Sequence, residues 1–381
     1  MHRILPALDA PDCVLRLDAV TTAPSVCVFV GHADASAIAV RTHDTGHWRR
    51  VPTMALYEVE SLSVDVKSGE EMRPAVVEAS FSVDAGEVLA LVGESGSGKS
   101  LIALGGVGLL PFGTKATGGK AHFEGHDLSA VHDAEWRKLV GLGIGVLFQD
   151  PIGAWDPTEF LGQQAGEVLD EHFDMDPDEI EQRVVDALGE VRLPEKRRFL
   201  WSFAHEMSRG EAQRAMLAAT LLSGPRLLIA DEPLSGLDPT VASAITAIIR
   251  DLRERRGMAL LLITHDLGVV AGLADRVAVV YGGRIVEEGP VDLIFHSPQH
   301  PYTAGLLASL PGRGRRLKPI PGDVPDIAWL DPGCPFAPRC EFAIDRCRAA
   351  VPQPSFVRGA LVRCIRAAEL DLEGVGRAPA D

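Results

Sequence analysis

Regular alternation of apolar and polar residues first appears in MALYEVESLSVDV, which begins at Met54, and this period of two predicts a strand. Two more strand-like runs between Val76 and Val92 flank the turn DAGE, and the second, VLALVG, ends in a glycine-rich loop. We predict a helix over the next segment, LIALGGVGLL. Farther along, the apolar runs RLLIA and ALLLIT flank the helical pattern TVASAITAIIRDLRERR. Strand, helix and strand in this order predict an α/β fold with a parallel sheet covered by helices.

The character of the pattern changes at three points along the chain. Residues 1–53 show weak periodicity, and we interpret them as a poorly structured extension or a misassigned start, with Met54 as the natural first residue. Residues 54–290 carry the α/β pattern and include a charged, helix-rich part at about 150–205. The chain then becomes rich in proline and glycine, and we predict a C-terminal extension over 291–381.

Composition excludes some classes of protein. The 381 residues carry a net charge of −16, which argues against a general binder of nucleic acid or anionic lipid. No stretch reaches the roughly 18 apolar residues of a membrane-spanning helix. Asp9 and Asp12 interrupt any signal-peptide core near the N-terminus. We therefore expect a cytoplasmic protein, whose thiols stay reduced.

A phosphate-binding loop is predicted between the strand VLALVG and the helix after it. The segment GESGSGKS fits the pattern G-x-x-x-x-G-K-[ST], in which glycines turn backbone N–H groups toward phosphates. The lysine would reach the β- and γ-phosphates and the last serine would bind Mg²⁺. A flexible Gly/Ser turn is the alternative. The candidate residues are Gly93, Glu94, Ser95, Gly96, Ser97, Gly98, Lys99 and Ser100.

A second candidate site follows the apolar strand in RLLIADEP. Asp231 could hold Mg²⁺ through water, and Glu232 could orient or deprotonate an attacking water. A solvated acidic turn would have the same local sequence. These two carboxylates become informative only in combination with the phosphate loop and the motifs around them.

Four further motifs occur in a fixed order. They are LFQDP with Gln149, HEMSRGEAQRAML with Ser208 and Gly210, LSGLDP with Asp238, and LLITHDL with His265. With the phosphate loop and Asp231, this set resembles the ATP-binding subunits of ABC transporters. The resemblance implies a P-loop NTPase (RecA-like) parallel sheet with an antiparallel β subdomain, a helical subdomain and a small cysteine-containing C-terminal extension. It implies that the chain is an ATPase.

The resemblance also implies roles and partners. Gln149 would contact Mg²⁺ and the lytic water, His265 would hydrogen-bond the γ-phosphate, and Asp238 would lie at a dimer interface. Each ATP would lie between one subunit's phosphate loop and the Ser208–Gly210 loop of a second ATPase subunit, identical or different. Two transmembrane permease subunits and an extracytoplasmic solute-binding protein would complete the system, with this chain at the cytoplasmic face of the membrane.

The sequence departs from the family pattern at two places. Arg209 stands where a small residue usually faces the partner's nucleotide, and it could either clash there or add a cation near the γ-phosphate. Ser208 and Glu211 still predict a capping box. The aromatic residue that usually stacks on adenine is replaced by Val66 or a neighbour, unless Tyr57 substitutes for it.

The C-terminal segment refines the resemblance. GGRIVEEGPVDLIFHSPQHPYTAGLLASLP and IPGDVPDIAWLDPGCPFAPRC are similar to the end of subunits that serve oligopeptide, dipeptide and nickel importers. We therefore expect ATP-driven uptake of peptides or a related small solute. A nickel or other-solute importer subunit, a soluble ABC-type ATPase, and a scaffold that binds ATP without turnover are the alternatives. The sequence does not specify the transported solute.

Four cysteines in this tail follow the spacing C-x5-C-x6-C-x16-C. The C-x2-C knuckles of zinc ribbons are absent, and four thiolates in a reducing compartment favour an iron–sulfur cluster, with zinc or unligated cysteines as alternatives. The resemblance agrees, since members of this subfamily carry a four-iron cluster here. We expect the site to stabilise a small domain away from the phosphate loop. Its candidate ligands are Cys334, Cys340, Cys347 and Cys364.

Overall fold

A computed structural model describes the backbone of three strands within residues 26–51 and then residues 55–194, 196–310, 319–323 and 332–375. Contacts divide the chain into two units, Met1–Ala55 and Leu56–Asp381. Met54 and Cys13 lie outside the described residues.

The first unit contains an antiparallel sheet of β1 (Val26–Val30), β2 (Ile38–Thr42) and β3 (Trp48–Val51), in that order. Val28 pairs with Val40, and Val40 with Arg49. The sequence predicted little regular structure here. Whether translation begins at Met54 stays a prediction.

The second unit alternates strands and helices, as predicted. Its described strands are β4 (Tyr57–Ser68), β5 (Glu71–Val83), β6 (Val88–Val92), β7 (Thr114–Phe123), β8 (His126–Asp127), β9 (Ile144–Leu147), β10 (Leu227–Asp231), β11 (Ala259–Ile263), β12 (Arg276–Tyr281), β13 (Arg284–Pro290), β14 (Ser355–Val357) and β15 (Ala360–Val362). Its described helices are α1 (Lys99–Gly106), α2 (Asp133–Gly143), α3 (Leu161–His172), α4 (Pro177–Glu190), α5 (Lys196–Leu200), α6 (Arg209–Leu221), α7 (Pro239–Arg256), α8 (Leu267–Leu273), α9 (Val291–His296), α10 (Pro301–Ala308) and α11 (Asp345–Ala349).

The large sheet has the order β14-β15-β13-β12-β6-β11-β10-β9. The pairs that join β12, β6, β11, β10 and β9 are all parallel. Every residue of β6, β10 and β11 is buried, because helices cover both faces of a parallel sheet. The predicted parallel sheet is therefore confirmed, and the carboxyl ends of its strands lie along one edge.

A separate antiparallel sheet, β5-β4-β7-β8, contains the strand predicted from the alternation after Met54. The helix predicted over LIALGGVGLL begins earlier, at Lys99, and ends at Gly106. Helices α3, α4 and α5 occupy the stretch that the sequence predicted as helical. Among the described residues, no helix combines the length and apolar character needed to cross a lipid bilayer.

The C-terminal part adds strands to the large sheet. Val362 of β15 pairs with Glu287 of β13, and β14 forms the outer edge. Ala360, Val362 and Ala367 form a small buried cluster of their own. A domain boundary at 290/291 remains a prediction.

Helix α1 approaches β4 through a pair of glycines. A Cβ atom built on Gly106 would lie 2.0 Å from the Tyr57 hydroxyl oxygen, so only glycine allows this packing. Tyr57 is completely buried and stands edge-to-face with Phe81, with ring centroids 5.9 Å apart. The suggestion that Tyr57 stacks on adenine is therefore wrong, because its ring belongs to the core beneath α1.

We expect Gly106→Ala to lower the free energy of unfolding by about 1–3 kcal/mol, because the added methyl overlaps the Tyr57 hydroxyl. Tyr57→Phe removes that oxygen, which has no hydrogen-bond partner in the structure, and should recover part of the loss in the double variant. Urea unfolding measures both effects.

Gly105→Ala is the matched control, since the nearest atoms to its Cβ would be side-chain carbons of Leu62, Val64 and Leu110, at 3.2 Å or more. Tyr57→Phe should not relieve whatever this variant costs. Equal recovery in both backgrounds would contradict the proposed overlap.

Candidate nucleotide site

The phosphate loop joins β6 to α1 in a conformation that requires glycine. Gly93 has φ 154° and a Cβ there would lie 2.2 Å from the Val280 carbonyl oxygen, while Gly98 has φ 101°. The loop ends at the first turn of α1, where helix N–H groups attract anions. The Ser97 hydroxyl is buried without a hydrogen-bond partner. The predicted anion-binding loop is thus present in form, with a polar group left available for a ligand.

Lys99 lies inside this loop. Its Nζ donates hydrogen bonds of 3.0 Å to the carbonyl oxygens of Gly93 and Glu94. Burial lowers the pKa of Lys99, while the carboxylates of Glu232, Asp231 and Glu94 oppose that shift. The ammonium group therefore sits among acceptors that an incoming phosphate can replace.

Ser100 and Asp231 meet across the strand ends. The Ser100 hydroxyl donates a 3.0 Å hydrogen bond to Asp231 Oδ1. Burial raises the pKa of Asp231, and the Ser100 hydrogen bond lowers it. A hydroxyl and a carboxylate oxygen at hydrogen-bond distance are the oxygen donors that Mg²⁺ prefers, so the pair fits this ion.

Glu232 and His265 come together at the ends of the adjacent strands β10 and β11. His265 Nδ1 lies 3.0 Å from Glu232 Oε1. Glu232 has φ 48°, a left-handed conformation that is strained for glutamate, and its N–H donates to the Ile263 carbonyl oxygen. The His265 ring is largely exposed. This arrangement places a carboxylate and an imidazole together beside the phosphate loop.

The other predicted residues occupy the surrounding loops. Gln149 is exposed just past the end of β9. Ser208 is the exposed N-cap of α6, and its main-chain N–H donates to Glu211 Oε2 at 2.9 Å, which confirms the predicted capping box. Asp238 caps α7 by accepting from two main-chain N–H groups. A Cβ on Gly210 would lie 2.9 Å from Val241 Cγ1, so α6 begins close against α7.

Arg209 turns back onto its own chain. Its Nε donates to the Ser235 carbonyl oxygen at 3.1 Å, and Nη2 lies 3.4 Å from the Gln149 carbonyl oxygen. The guanidinium thus connects the first turn of α6 with the loops after β9 and β10. The sequence alone did not indicate that the Arg209 side chain would contact these loops of its own chain.

The four tail thiols share one small pocket with Phe336 and Phe342, and none of the four is in a disulfide. Burial raises the pKa of Cys334 and Cys340 to about 11, and nearby cysteines add to both shifts. The Cys334 N–H also donates to the Cys347 carbonyl oxygen at 2.7 Å. The fold therefore gathers the predicted cysteines.

Two residues at the phosphate loop were missed by sequence reasoning. Tyr302 belongs to the HPYT motif, and Arg339 immediately precedes Cys340. Both contact Glu94. The separation of the cysteine site from the phosphate loop stays a prediction, although a residue adjacent to one cysteine contacts that loop.

Comparison with known proteins adds two family models. Residues 76–235 match the ABC transporter family, and residues 286–347 match the oligopeptide/dipeptide transporter C-terminal region. The first match contains the phosphate loop and Glu232; the second contains HPYT and three of the four cysteines.

Named relatives cover most of the chain. The oligopeptide transport ATP-binding protein OppD of Haemophilus influenzae is 40% identical over 317 residues, which are 82% of this chain and 98% of that protein. A protein of Brucella abortus (strain 2308) named as a peptide import ATP-binding protein is 40% identical over 315 residues, 82% of this chain and 95% of its own length.

Solved structures agree on the fold. The ATP-binding cassette MJ0796 has a TM-score of 0.56 at 24% identity, over 62% of this chain and 98% of that one. The structure of cbiO1 from Clostridium perfringens, part of the ABC transporter complex cbiONQ, has a TM-score of 0.53 at 26% identity, over 63% and 90%. The chain belongs to the ABC transporter family, as an ATP-binding, ATP-hydrolysing subunit of the branch that carries the oligopeptide/dipeptide transporter C-terminal region.

Proposed function

We propose that this chain powers an importer that takes up oligopeptides, dipeptides or a related small solute. The observation that carries the proposal is the Glu232–His265 pair at one sheet edge with Lys99, in a chain whose relatives are named for peptide import. The substrate class rests on those names and on the C-terminal match.

The strand ends suggest a division of roles. Lys99 and the loop N–H groups bind the ATP phosphates, while Ser100, Asp231 and Gln149 hold Mg²⁺, which neutralises phosphate charge. Glu232 orients the attacking water or accepts its proton. His265 would hydrogen-bond the γ-phosphate, and its ring is held by Glu232. The strained backbone at Glu232 is consistent with this role, since such strain concentrates at working sites.

A second ATPase subunit completes each site in this proposal. Ser208 and Asp238 are exposed, so both are accessible to a partner. The N-terminus of α6, capped by Ser208, would present its partial positive charge to the partner's ATP. Two transmembrane permease subunits and an extracytoplasmic binding protein would provide the pathway and the solute. The chain would then be peripheral, at the cytoplasmic face.

We also propose that the four tail thiols bind a four-iron cluster. All four cysteines line one pocket, and their spacing lacks the C-x2-C knuckles of zinc ribbons. Burial raises the pKa of the Cys334 and Cys340 thiols, so thiolates there need a ligand that offsets their charge. Bound there, the cluster would neutralise four thiolates and stabilise the extension.

We expect Glu232→Gln to retain ATP binding and to lower ATP hydrolysis by at least about a hundredfold, because the amide cannot accept a proton from water. Uptake of a labelled peptide into proteoliposomes that hold the assembled transporter should fall with it. Lys99→Ala should weaken nucleotide binding itself.

Glu254 is an exposed carboxylate on α7, and Glu254→Gln is the matched control. It should change neither ATP binding nor ATP hydrolysis. Hydrolysis by Glu232→Gln at the parent rate would refute the catalytic assignment. Full hydrolysis without uptake of any peptide would instead refute peptides as the transported solute.

Arg209→Gly restores the small residue usual in the family. We expect ATP turnover by the assembled transporter to rise, or to stay unchanged if the partner's ATP is already not hydrolysed, because the loop before α6 acts on the other subunit's nucleotide. Arg209→Lys, which keeps the charge, is the comparison. A large fall in turnover by Arg209→Gly would show that the guanidinium is a working contact.

Protein purified without oxygen should be brown and contain about four irons per chain. Cys340→Ser should remove the colour and expose the extension to proteolysis, whereas Cys27→Ser, which leaves the four tail cysteines unchanged, should do neither. Colourless protein with one zinc would reject the cluster and keep a structural metal. Metal-free protein with an equally resistant extension would reject both.

A further inference from the structure

Arg339 reaches from the C-terminal extension into the phosphate loop. It ends the 3₁₀ turn Ala337–Arg339, directly before Cys340. Its Nη1 and Nη2 donate to the two carboxylate oxygens of Glu94 at 2.8 and 3.1 Å, and its Nε donates to the Pro321 carbonyl oxygen at 2.8 Å. The Arg339 side chain is 6% exposed. A planar guanidinium held at both ends in this way is a rigid, two-point clamp.

Tyr302 binds the main chain of the same loop residue, Glu94. The Glu94 N–H donates to the Tyr302 hydroxyl oxygen at 2.9 Å. The Tyr302 ring is completely buried and packs against Tyr281 and Phe336, with ring centroids 4.4 and 5.4 Å away. Phe336 lies three residues before Arg339, so one aromatic cluster supports both contacts to Glu94.

The HPYT motif anchors this arrangement to the sheet. The N–H groups of Gln299 and His300 donate to the buried carboxylate of Glu287 on β13, at 2.6 and 2.9 Å. His300 Nδ1 accepts a hydrogen bond from the Tyr302 N–H at 3.0 Å, so His300 caps the N-terminus of α10. These hydrogen bonds attach the segment that carries Tyr302 to β13, and its hydroxyl oxygen contacts Glu94 from there.

The Glu94 carboxylate belongs to the loop that binds the ATP phosphates, so its charge opposes the ligand. The carbonyl oxygen of the same residue accepts from Lys99. An unpaired Glu94 would repel the phosphates and could compete for the Lys99 ammonium. Pairing in a partly buried setting removes most of that effect.

We propose that Arg339 is a positioning residue for ATP: it neutralises and orients Glu94, and so makes nucleotide affinity depend on the cysteine-bearing extension. The proposal rests on the assignment of residues 93–100 as the ATP phosphate loop. A cysteine site whose neighbour holds the loop then acts on ATP binding as well as on the stability of the extension.

The simpler alternative is that the Arg339–Glu94 pair only attaches the extension to the core. Removing Glu94's charge separates these possibilities. If Arg339 only attaches the extension, Glu94→Gln breaks the same contact and should weaken ATP binding as much as Arg339→Met does. If Arg339 acts by neutralising Glu94, then Glu94→Gln should bind ATP normally, with or without Arg339.

The experiment is a double-mutant cycle on the full chain, with the Kd of a fluorescent ATP analogue as the readout. Arg339→Met should raise that Kd about tenfold. Glu94→Gln should keep the Kd within about twofold of the parent value, both alone and in combination with Arg339→Met. The defect of Arg339→Met should shrink in high salt, because the repulsion it exposes is screened. In the assembled transporter, KM for ATP should rise more than kcat falls.

Arg366→Met is the matched control. Arg366 stands two residues after Cys364 and lines the cysteine pocket, but it bonds to the Phe342 carbonyl oxygen and to Glu369. It should leave the Kd unchanged. Arg339→Lys keeps the positive charge but can contact Glu94 at only one point, so its Kd should lie between those of the parent protein and Arg339→Met. If Arg339→Met does not fold, Arg339→Lys replaces it in the experiment.

An unchanged Kd in Arg339→Met, or in Arg339→Lys if only that variant folds, overturns the proposal. So does an equal loss in Arg339→Met and Arg366→Met, or no recovery with Glu94→Gln, since each indicates attachment alone. Lys99→Ala is read separately: parent-like binding by that variant would refute the phosphate-loop assignment itself, whatever the cycle shows.

Discussion

The shared edge at which the parallel strands end is the constraint on which the site depends. Strands β6, β10 and β11 are adjacent and parallel, so the residues that follow them emerge together. Lys99, Asp231 and His265 come from three separate stretches of the chain, and they meet there because the strands before them pair with one another. Burial of every residue in these strands makes the edge rigid, because no register shift is possible without exposing apolar side chains.

The C-terminal extension is joined to this sheet and helps to hold the phosphate loop at its edge. Strand β15 pairs with β13, and Glu287 on β13 also holds the HPYT segment through main-chain N–H groups. Burial raises the pKa of Glu287 to about 7, so this carboxyl group is retained in the core at a cost that its hydrogen bonds reduce. From this base, Tyr302 and Arg339 reach Glu94. The conformation of the phosphate loop therefore depends on residues more than 200 positions later in the chain.

Some side chains behave differently from what their motifs suggest. Tyr57 is aromatic and begins β4, which suggests a residue that could stack on a base, yet its position opposite Gly106 buries it. Arg209 stands in a loop expected to face a partner, and its guanidinium instead reaches carbonyl oxygens of its own chain. In both cases the direction of the side chain depends on an element distant in sequence, which a local pattern does not contain.

The sequence by itself determined the parallel sheet, the phosphate loop, the order of the site motifs and the capping box of Ser208 and Glu211. These features depend on local chemistry: hydrophobic period, glycine torsion freedom and side-chain capping of a nearby N–H. Only the tertiary structure decided that Glu232 meets His265, that four cysteines share a pocket, and that Arg339 clamps Glu94. Such contacts join residues whose separation along the chain carries no information about distance, so they exist only once the buried strands have aligned.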